Sequence, residues 1–164
     1  MSIFHKYNVI FIRIPKTASS SMFTSIRNKT DKSCLHETYI EILNNNDFNL
    51  FFDYYSFACV RNPYDRFVSI YGQLYKNTNN REYINNLSDN SNNKMEVFEK
   101  FITFFYNEDI ITTKKFGGNY TIYKEQHKYI CINDTILVDK LLKYENLNED
   151  WLDFSNIINN LPNN

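Results

Sequence analysis

The sequence predicts an α/β domain built on a parallel sheet flanked by helices, and three observations carry that expectation. Two short apolar runs, residues 9–14 and 54–60, each lead through a turn containing proline into a segment of helical period. A third, residues 135–144, again precedes a helical stretch. Continuous runs rich in β-branched and aromatic residues suit strands buried on both faces, as in a parallel sheet covered by helices. With 164 residues the chain has the length of one domain with a real core, and 14 Phe and 13 Tyr supply an aromatic interior. A single domain over residues 1–164, with about three to five strands, is expected.

The first strand opens the stretch NVIFIRIPKTASSSM, residues 8–22. Val9, Ile10, Phe11, Ile12 and Ile14 form it, and Pro15 ends it. Lys16, Thr17, Ala18 and three serines follow, then Met22, Phe23 and Ile26 at helical spacing, so a helix begins within the serines. Its first N–H groups lack partners inside the helix and the dipole leaves that end partly positive, which suits a phosphate. Thr17, Ser19 and Ser20 would add hydroxyl donors and Lys16 a full charge. The alternative is that the serines only cap the helix. A kinase-type phosphate loop is excluded, because it needs glycines ahead of a Lys-Ser/Thr pair and the glycines stand at 72, 117 and 118.

Residues 33–43, SCLHETYIEIL, read as a short helix with Leu35, Tyr39 and Ile42 on one face and His36 and Glu37 near its start. His36 is either an exposed or capping residue or a general base, since an imidazole needs only a small shift to serve near neutral pH.

The second strand, residues 54–60, delivers Arg61 at its carboxyl end. Asn62 can cap the next helix, Pro63 suits its first turn, and Asp65 adds negative charge there. Phe67, Ile70, Tyr71 and Leu74 make the core-facing stripe, and Ser69 falls off it. Arg61 and Ser69 can converge on one phosphate; alternatively Arg61 pairs with Asp65 and Ser69 is a surface residue.

Residues 76–94 are rich in Asn and Ser and read as a solvated loop that could border a substrate site. Phe98, Phe101, Ile102 and Phe105 then give a core-facing helix. Gly117 and Gly118 mark a turn, residues 135–144 a last strand, and a final helix from about Asn148 carries Trp151, Phe154, Ile158 and Leu161 within reach of one face.

Eighteen basic and nineteen acidic residues give a net charge of -1, which argues against a nucleic-acid surface and makes any anion site local. Cys34, Cys59 and Cys131 are odd in number and widely spaced, as in a reducing compartment. With no Cys-x-x-Cys pair and with His5, His36 and His127 scattered, no metal site is expected. No signal peptide or membrane span is read, so a cytoplasmic location is expected.

Together, IPKTASSS and CVRNPYDRFVSIY resemble the paired motifs of the 3'-phosphoadenosine 5'-phosphosulfate (PAPS)-dependent sulfotransferases, most closely the carbohydrate branch of Golgi-type and heparan sulfate 2-O-like enzymes. The resemblance implies a three-layer, P-loop-like fold. It implies that Lys16, Thr17, Ala18, Ser19 and Ser20 grip the 5'-phosphosulfate and that Arg61 and Ser69 grip the 3'-phosphate. Ala18 replaces a glycine frequent in the family, a small-for-small change. HETYIEI resembles the H-x-S/T-x-x-E/D-I/L element of related enzymes, which makes His36 the favoured base and Glu37 the fallback. YKEQHKY resembles H-x-x-P-Q-x-x-Y; it keeps Gln126 and Tyr129, has Tyr123 where the histidine stands and lacks the proline. Gln126 is thereby an acceptor-site candidate, and His127 structural or exposed. Glu145, Asn146 and Leu147 resemble the family's closing strand-to-helix junction, after which many relatives continue in a basic and aromatic tail.

The implied function is transfer of a sulfuryl group from PAPS to an acceptor hydroxyl of a carbohydrate, with Lys16 and His36 catalytic, 3'-phosphoadenosine 5'-phosphate (PAP) as product and no metal. From another class, a non-catalytic PAP- or PAPS-binding module with a shortened C-terminus is the alternative; retention of His36 with Lys16 weighs against it.

Overall fold

A computed structural model describes residues 2–27, 36–45, 49–107 and 122–160 of the chain. The expected turn at Gly117 and Gly118, and Leu35, Cys34 and Leu161, lie outside these residues. The chain divides into two compact units, one of Met1–Arg66 with Lys124–Asn164 and one of Phe67–Tyr123.

The first unit holds the strands β1 (Ser2–Phe4), β2 (Val9–Ile12), β3 (Tyr55–Val60), β4 (Cys131–Ile132), β5 (Thr135–Ile136) and β6 (Lys140–Lys143). Its helices are α1 (Ser19–Ile26), α2 (Tyr39–Asn45), α3 (Leu50–Asp53), the start of α4 (Pro63–Lys76), α7 (His127–Ile130) and α8 (Leu147–Asn159). The main sheet runs β1-β2-β3-β6; β2, β3 and β6 are parallel, and β1 is antiparallel to β2.

Side-chain alternation along the strands makes the layers. Val9, Phe11, Phe57, Cys59 and Leu142 point to one face, where Met22, Phe23 and Ile26 of α1 and Phe154 of α8 cover them. Ile10, Ile12 and Ala58 point to the other, against Ile42 of α2 and Tyr129 and Ile130 of α7. With both faces covered, every position of β2 is buried, which is why the strand reads as an unbroken apolar run. Phe57 anchors the first face: its ring stacks on Phe11 at 4.4 Å and meets Phe154 at 4.1 Å. The expected α/β architecture, a mostly parallel sheet flanked by helices, is thus the observed one.

Two strand expectations change. β1 was not anticipated, because three residues carry no periodic signal; it is set by the reversal that follows, a 3-10 turn over His5–Tyr7 and Asn8 in the left-handed region at φ 51°. The expected strand at 135–144 is split. Thr135–Ile136 folds back on β4 as a hairpin through Asn133 and Asp134, whose φ values of 46° and 63° are those of a twist-matched two-residue turn. Only Lys140–Lys143 joins the main sheet, and Asp139 sets its register by accepting from the Ser56 N–H at 2.7 Å and hydroxyl at 2.6 Å.

The second unit is helical among its described residues: the rest of α4, α5 (Thr78–Asn86) and α6 (Lys94–Asn107). Ile70, Leu74, Ile84, Val97, Phe101 and Ile122 form its core, ringed by Phe67, Tyr71, Phe98 and Phe105. Ile102, expected on the core-facing stripe, is 42% exposed. The expected solvated loop at 76–94 is corrected by α5. Asn77 caps that helix, its side chain accepting from the N–H groups of Asn79 and Asn80, and Ile84 is fully buried. A single deep anchor and a good cap outweigh the poor helix propensity of the asparagines.

Candidate functional site

β2 ends at Ile12, and the chain turns over residues 15–18 before α1 begins at Ser19. Lys16 and Ala18 both stand in the left-handed region, at φ 67° and 59°. Glycine enters this region without strain, so a small residue at position 18 suits the turn. Thr17 between them is fully buried and its hydroxyl donates to the Ile14 carbonyl at 2.9 Å. Its side chain braces the turn from inside, where the motif resemblance expects a contact to phosphate. Ser19 is also buried and Ser20 exposed. Ala18 is the N-cap residue of α1 and no side chain caps the helix, so the reading of the serines as caps is set aside. The start of α1 thus keeps the character of an anion site.

Arg61 leaves β3 toward this turn. Its Nη1 donates to the Lys16 carbonyl at 3.4 Å, and its guanidinium stacks on the Tyr144 ring at 4.2 Å. Its buried Nε has no hydrogen-bond partner among the described residues. Asp65 is not its partner. Asn62 caps α4 as expected, its Oδ1 accepting from the Tyr64 N–H at 2.9 Å, while the Glu145 carboxylate accepts from the N–H of Asn62 at 2.5 Å. That bond, with the Arg61 charge adding, holds Glu145 below the usual carboxylate range.

Gln126, the acceptor-site candidate, reaches the end of β3. Its amide donates to the Arg61 carbonyl at 2.7 Å and accepts from the Arg61 N–H at 2.9 Å, a two-point clamp on the main chain at the end of β3. Its polar group is engaged in holding Arg61.

His36 is half-buried with Nδ1 2.8 Å from the Arg13 carbonyl. A carbonyl only accepts, so Nδ1 carries the hydrogen and Nε2 is the basic nitrogen of the neutral ring. Burial pushes the imidazole below its ordinary 6.5; the carbonyl bond opposes this, and the Arg13 and Arg66 charges add to it. His36 and Glu37 precede the helix they were expected to begin. α2 starts at Tyr39 behind a reciprocal box in which the Thr38 N–H donates to Glu41 at 2.7 Å and the Glu41 N–H to the Thr38 hydroxyl at 3.2 Å. The Glu37 carboxylate accepts from the Asn45 amide at 3.3 Å.

Two residues that sequence reasoning missed organise this geometry. Arg13, 7% exposed, offers its carbonyl to His36, reaches Ser20 with Nη2 at 3.5 Å and lies over the Phe23 ring at 4.7 Å. Arg66, also 7% exposed, donates through Nε to the Pro15 carbonyl at 2.9 Å and through Nη2 to the Lys124 carbonyl at 3.1 Å. The signal was available: Arg13 interrupts the apolar run, and Arg66 sits four residues before Ile70, on the core-facing stripe of α4. A charge in such a place has to be hydrogen-bonded. Ser69 lies half-buried on α4 in the second unit, and its role rests on the motif alone.

Beside the turn is a cleft of about 490 Å³ lined by Ala18, Ser21, Tyr144, Glu145, Asn146 and Asn148. A cationic turn, an arginine delivered from the neighbouring strand and a cleft for the remainder of a ligand accord with a comparison of the whole sequence, in which the model of the sulfotransferase family matches residues 1–162. The chain belongs to the sulfotransferase family. No curated protein and no solved structure gives a significant match. As a sulfotransferase it is a transferase. No helix among the described residues of this sulfotransferase is long and apolar enough to cross a membrane.

Proposed function

We propose that this sulfotransferase moves a sulfuryl group from PAPS to the hydroxyl of a carbohydrate. The observation that carries the reading is the convergence of Arg61 on the Lys16 turn, where Nη1 lies 3.4 Å from the Lys16 carbonyl at the uncapped start of α1. Two cationic grips side by side suit a nucleotide with phosphate on both ends of its ribose. The turn takes the 5'-phosphosulfate through Lys16, the main chain at Thr17 and Ala18, and Ser19 and Ser20. Arg61 takes the 3'-phosphate through its guanidinium, with Ser69 as the second contact that the motif implies. The adjoining cleft receives the adenosine.

In the transfer, His36 Nε2 takes the proton of the acceptor hydroxyl. The new oxygen–sulfur bond forms as the bond from sulfur to the bridging phosphate oxygen breaks, and the electron pair leaves on that oxygen. Lys16 and the start of α1 stabilise the charge arriving there. The lowered imidazole keeps His36 neutral and able to accept at pH 7. Glu37, the fallback base, is turned to Asn45. The carbohydrate acceptor is supported by the motif resemblance, and a net charge of -1 gives no support for a long polyanionic chain.

Calorimetry with PAP, followed by radiolabelled sulfate transfer from PAPS to a panel of neutral sugars, tyrosine peptides and phenols, tests this. Binding with transfer to sugars supports the reading. Binding without transfer to any acceptor favours a nucleotide-binding module. Lys16→Ala should lose roughly 100- to 1000-fold in turnover, and wild-type turnover in a folded Lys16→Ala variant would refute the role.

A further inference from the structure

We propose that Arg66 is a positioning residue that locks the two phosphate grips to one another, so that a nucleotide bearing both phosphates is bound as a unit. The inference rests on the nucleotide site proposed above and adds a residue that touches no part of the ligand.

Arg66 stands on the first turn of α4, where its N–H donates to the Asn62 carbonyl at 2.9 Å. A guanidinium that is only 7% exposed is costly to bury unless its donors are satisfied, and an apolar side chain of similar volume commonly serves stability as well or better. Burial accordingly pushes Arg66 below its ordinary range, with Tyr129 and Glu125 opposing. Two of its hydrogen bonds point to what the charge is for, because they go to main-chain carbonyls in two separate segments.

The first is the Pro15 carbonyl, 2.9 Å from Nε. This carbonyl shares a planar trans peptide with the Lys16 N–H, so fixing the oxygen fixes the direction of that N–H and the entry of Lys16 into the left-handed region. The second is the Lys124 carbonyl, 3.1 Å from Nη2. Two residues on, Gln126 clamps both main-chain groups of Arg61. One buried side chain therefore ties the turn of the first grip to the segment that holds the second. Without Arg66 each grip keeps its own groups, and the two remain joined only through the β2–β3 pairing and the longer 3.4 Å bond from Arg61 Nη1 to the Lys16 carbonyl, which fix their spacing less tightly.

The consequence is specific. Linked contacts bind cooperatively only while their spacing matches the ligand. A merely structural arginine would weaken every ligand alike, whereas a lock between grips matters only to a ligand that uses both. Calorimetry with PAP, adenosine 5'-phosphate and adenosine 3'-phosphate on wild type, Arg66→Lys and Arg66→Met, with thermal denaturation of each, separates the two. Arg66→Lys keeps a cation but places its donors on a single nitrogen, which cannot bridge two carbonyls as the planar fork does. The expected result is a loss of about tenfold or more in PAP affinity in the folded variants, with the two monophosphates changing less than about threefold. Unchanged PAP affinity, or an equal loss for all three ligands, overturns the proposal. If neither variant folds, Gln126→Met cuts the same link at its other end and must show the same selective loss; an unchanged ratio of PAP to monophosphate affinity there is equally fatal. Wild-type protein that binds none of the three nucleotides strikes the nucleotide reading itself, a different result from binding without the selective loss.

Discussion

Replacing Ala18 by glycine should raise the melting temperature, and the sign of that change tests the geometry of the phosphate turn. Ala18 sits at φ 59° and ψ 13°. A side chain other than glycine in that region costs roughly 1–2 kcal/mol, which Ala18→Gly removes. Against this, glycine adds about 0.4–1 kcal/mol of conformational freedom to the unfolded chain. The methyl group, half-buried against the core of α1 and α8, gives up about half of the roughly 0.8 kcal/mol that a fully buried carbon contributes. The balance is a stabilisation of about 0.5 kcal/mol. For a chain of 164 residues, 1 kcal/mol corresponds to about 3 °C, so calorimetric melting should rise by roughly 1–2 °C. Were Ala18 in an ordinary helical or extended conformation, the same substitution would lower melting by roughly 3 °C, because only the two unfavourable contributions would remain. A fall of that size would refute the left-handed turn and, with it, the orientation of the α1 N-terminus.

Four further outcomes follow from the structure. His36 carries its hydrogen on Nδ1 and has a lowered pKa, so kcat/KM should rise with pH through a value below 6.5 and then level off; His36→Ala should abolish that limb and cost about 100- to 10,000-fold in rate, and an undiminished rate across neutral pH would remove His36 from the chemistry. Because the folded pKa is the lower one, the unfolded chain binds more protons between that value and 6.5; the contribution of His36 to stability is complete above 6.5 and lost as pH falls through the folded value, which denaturant midpoints for wild type and His36→Ala would show as a difference confined to acid. Phe57→Ala should destabilise by about 3–5 kcal/mol, since the ring is fully buried between Phe11 and Phe154, and chemical denaturation measures it. The Cys59 thiol, pushed up to about 12 by burial, should resist thiol reagents at pH 8 until the protein unfolds, as mass spectrometry after timed labelling would show.

The legible parts of the sequence were those whose signal is local. The apolar runs of β2 and β3, the small residues opening α1, Asn62 and Pro63 at α4, and the aromatic stripe of α6 each state their structure within a dozen residues, because strand burial, capping and helical period are short-range patterns. Where the signal was local and still misread, a competing pattern hid it: the asparagines around α5 masked the cap at Asn77 and the anchor at Ile84, and the Thr38–Glu41 box that starts α2 lay behind the more conspicuous His36. The site divides the same way. Lys16, Arg61 and His36 could be named from residue type and motif.

By itself, then, the sequence determined the strand-turn-helix units, the sheet they build and the family they belong to. Only the tertiary structure decided which polar groups hold the frame of the turn. It turned the Thr17 hydroxyl inward to Ile14, closed the Gln126 amide on Arg61 and set Arg66 between Pro15 and Lys124. The physical reason is that a side chain's role depends on which main-chain donors and acceptors it must satisfy. For Arg61 and Gln126, and for Arg66 and Pro15, those partners lie 65 and 51 residues away along the chain, beyond the reach of any local pattern.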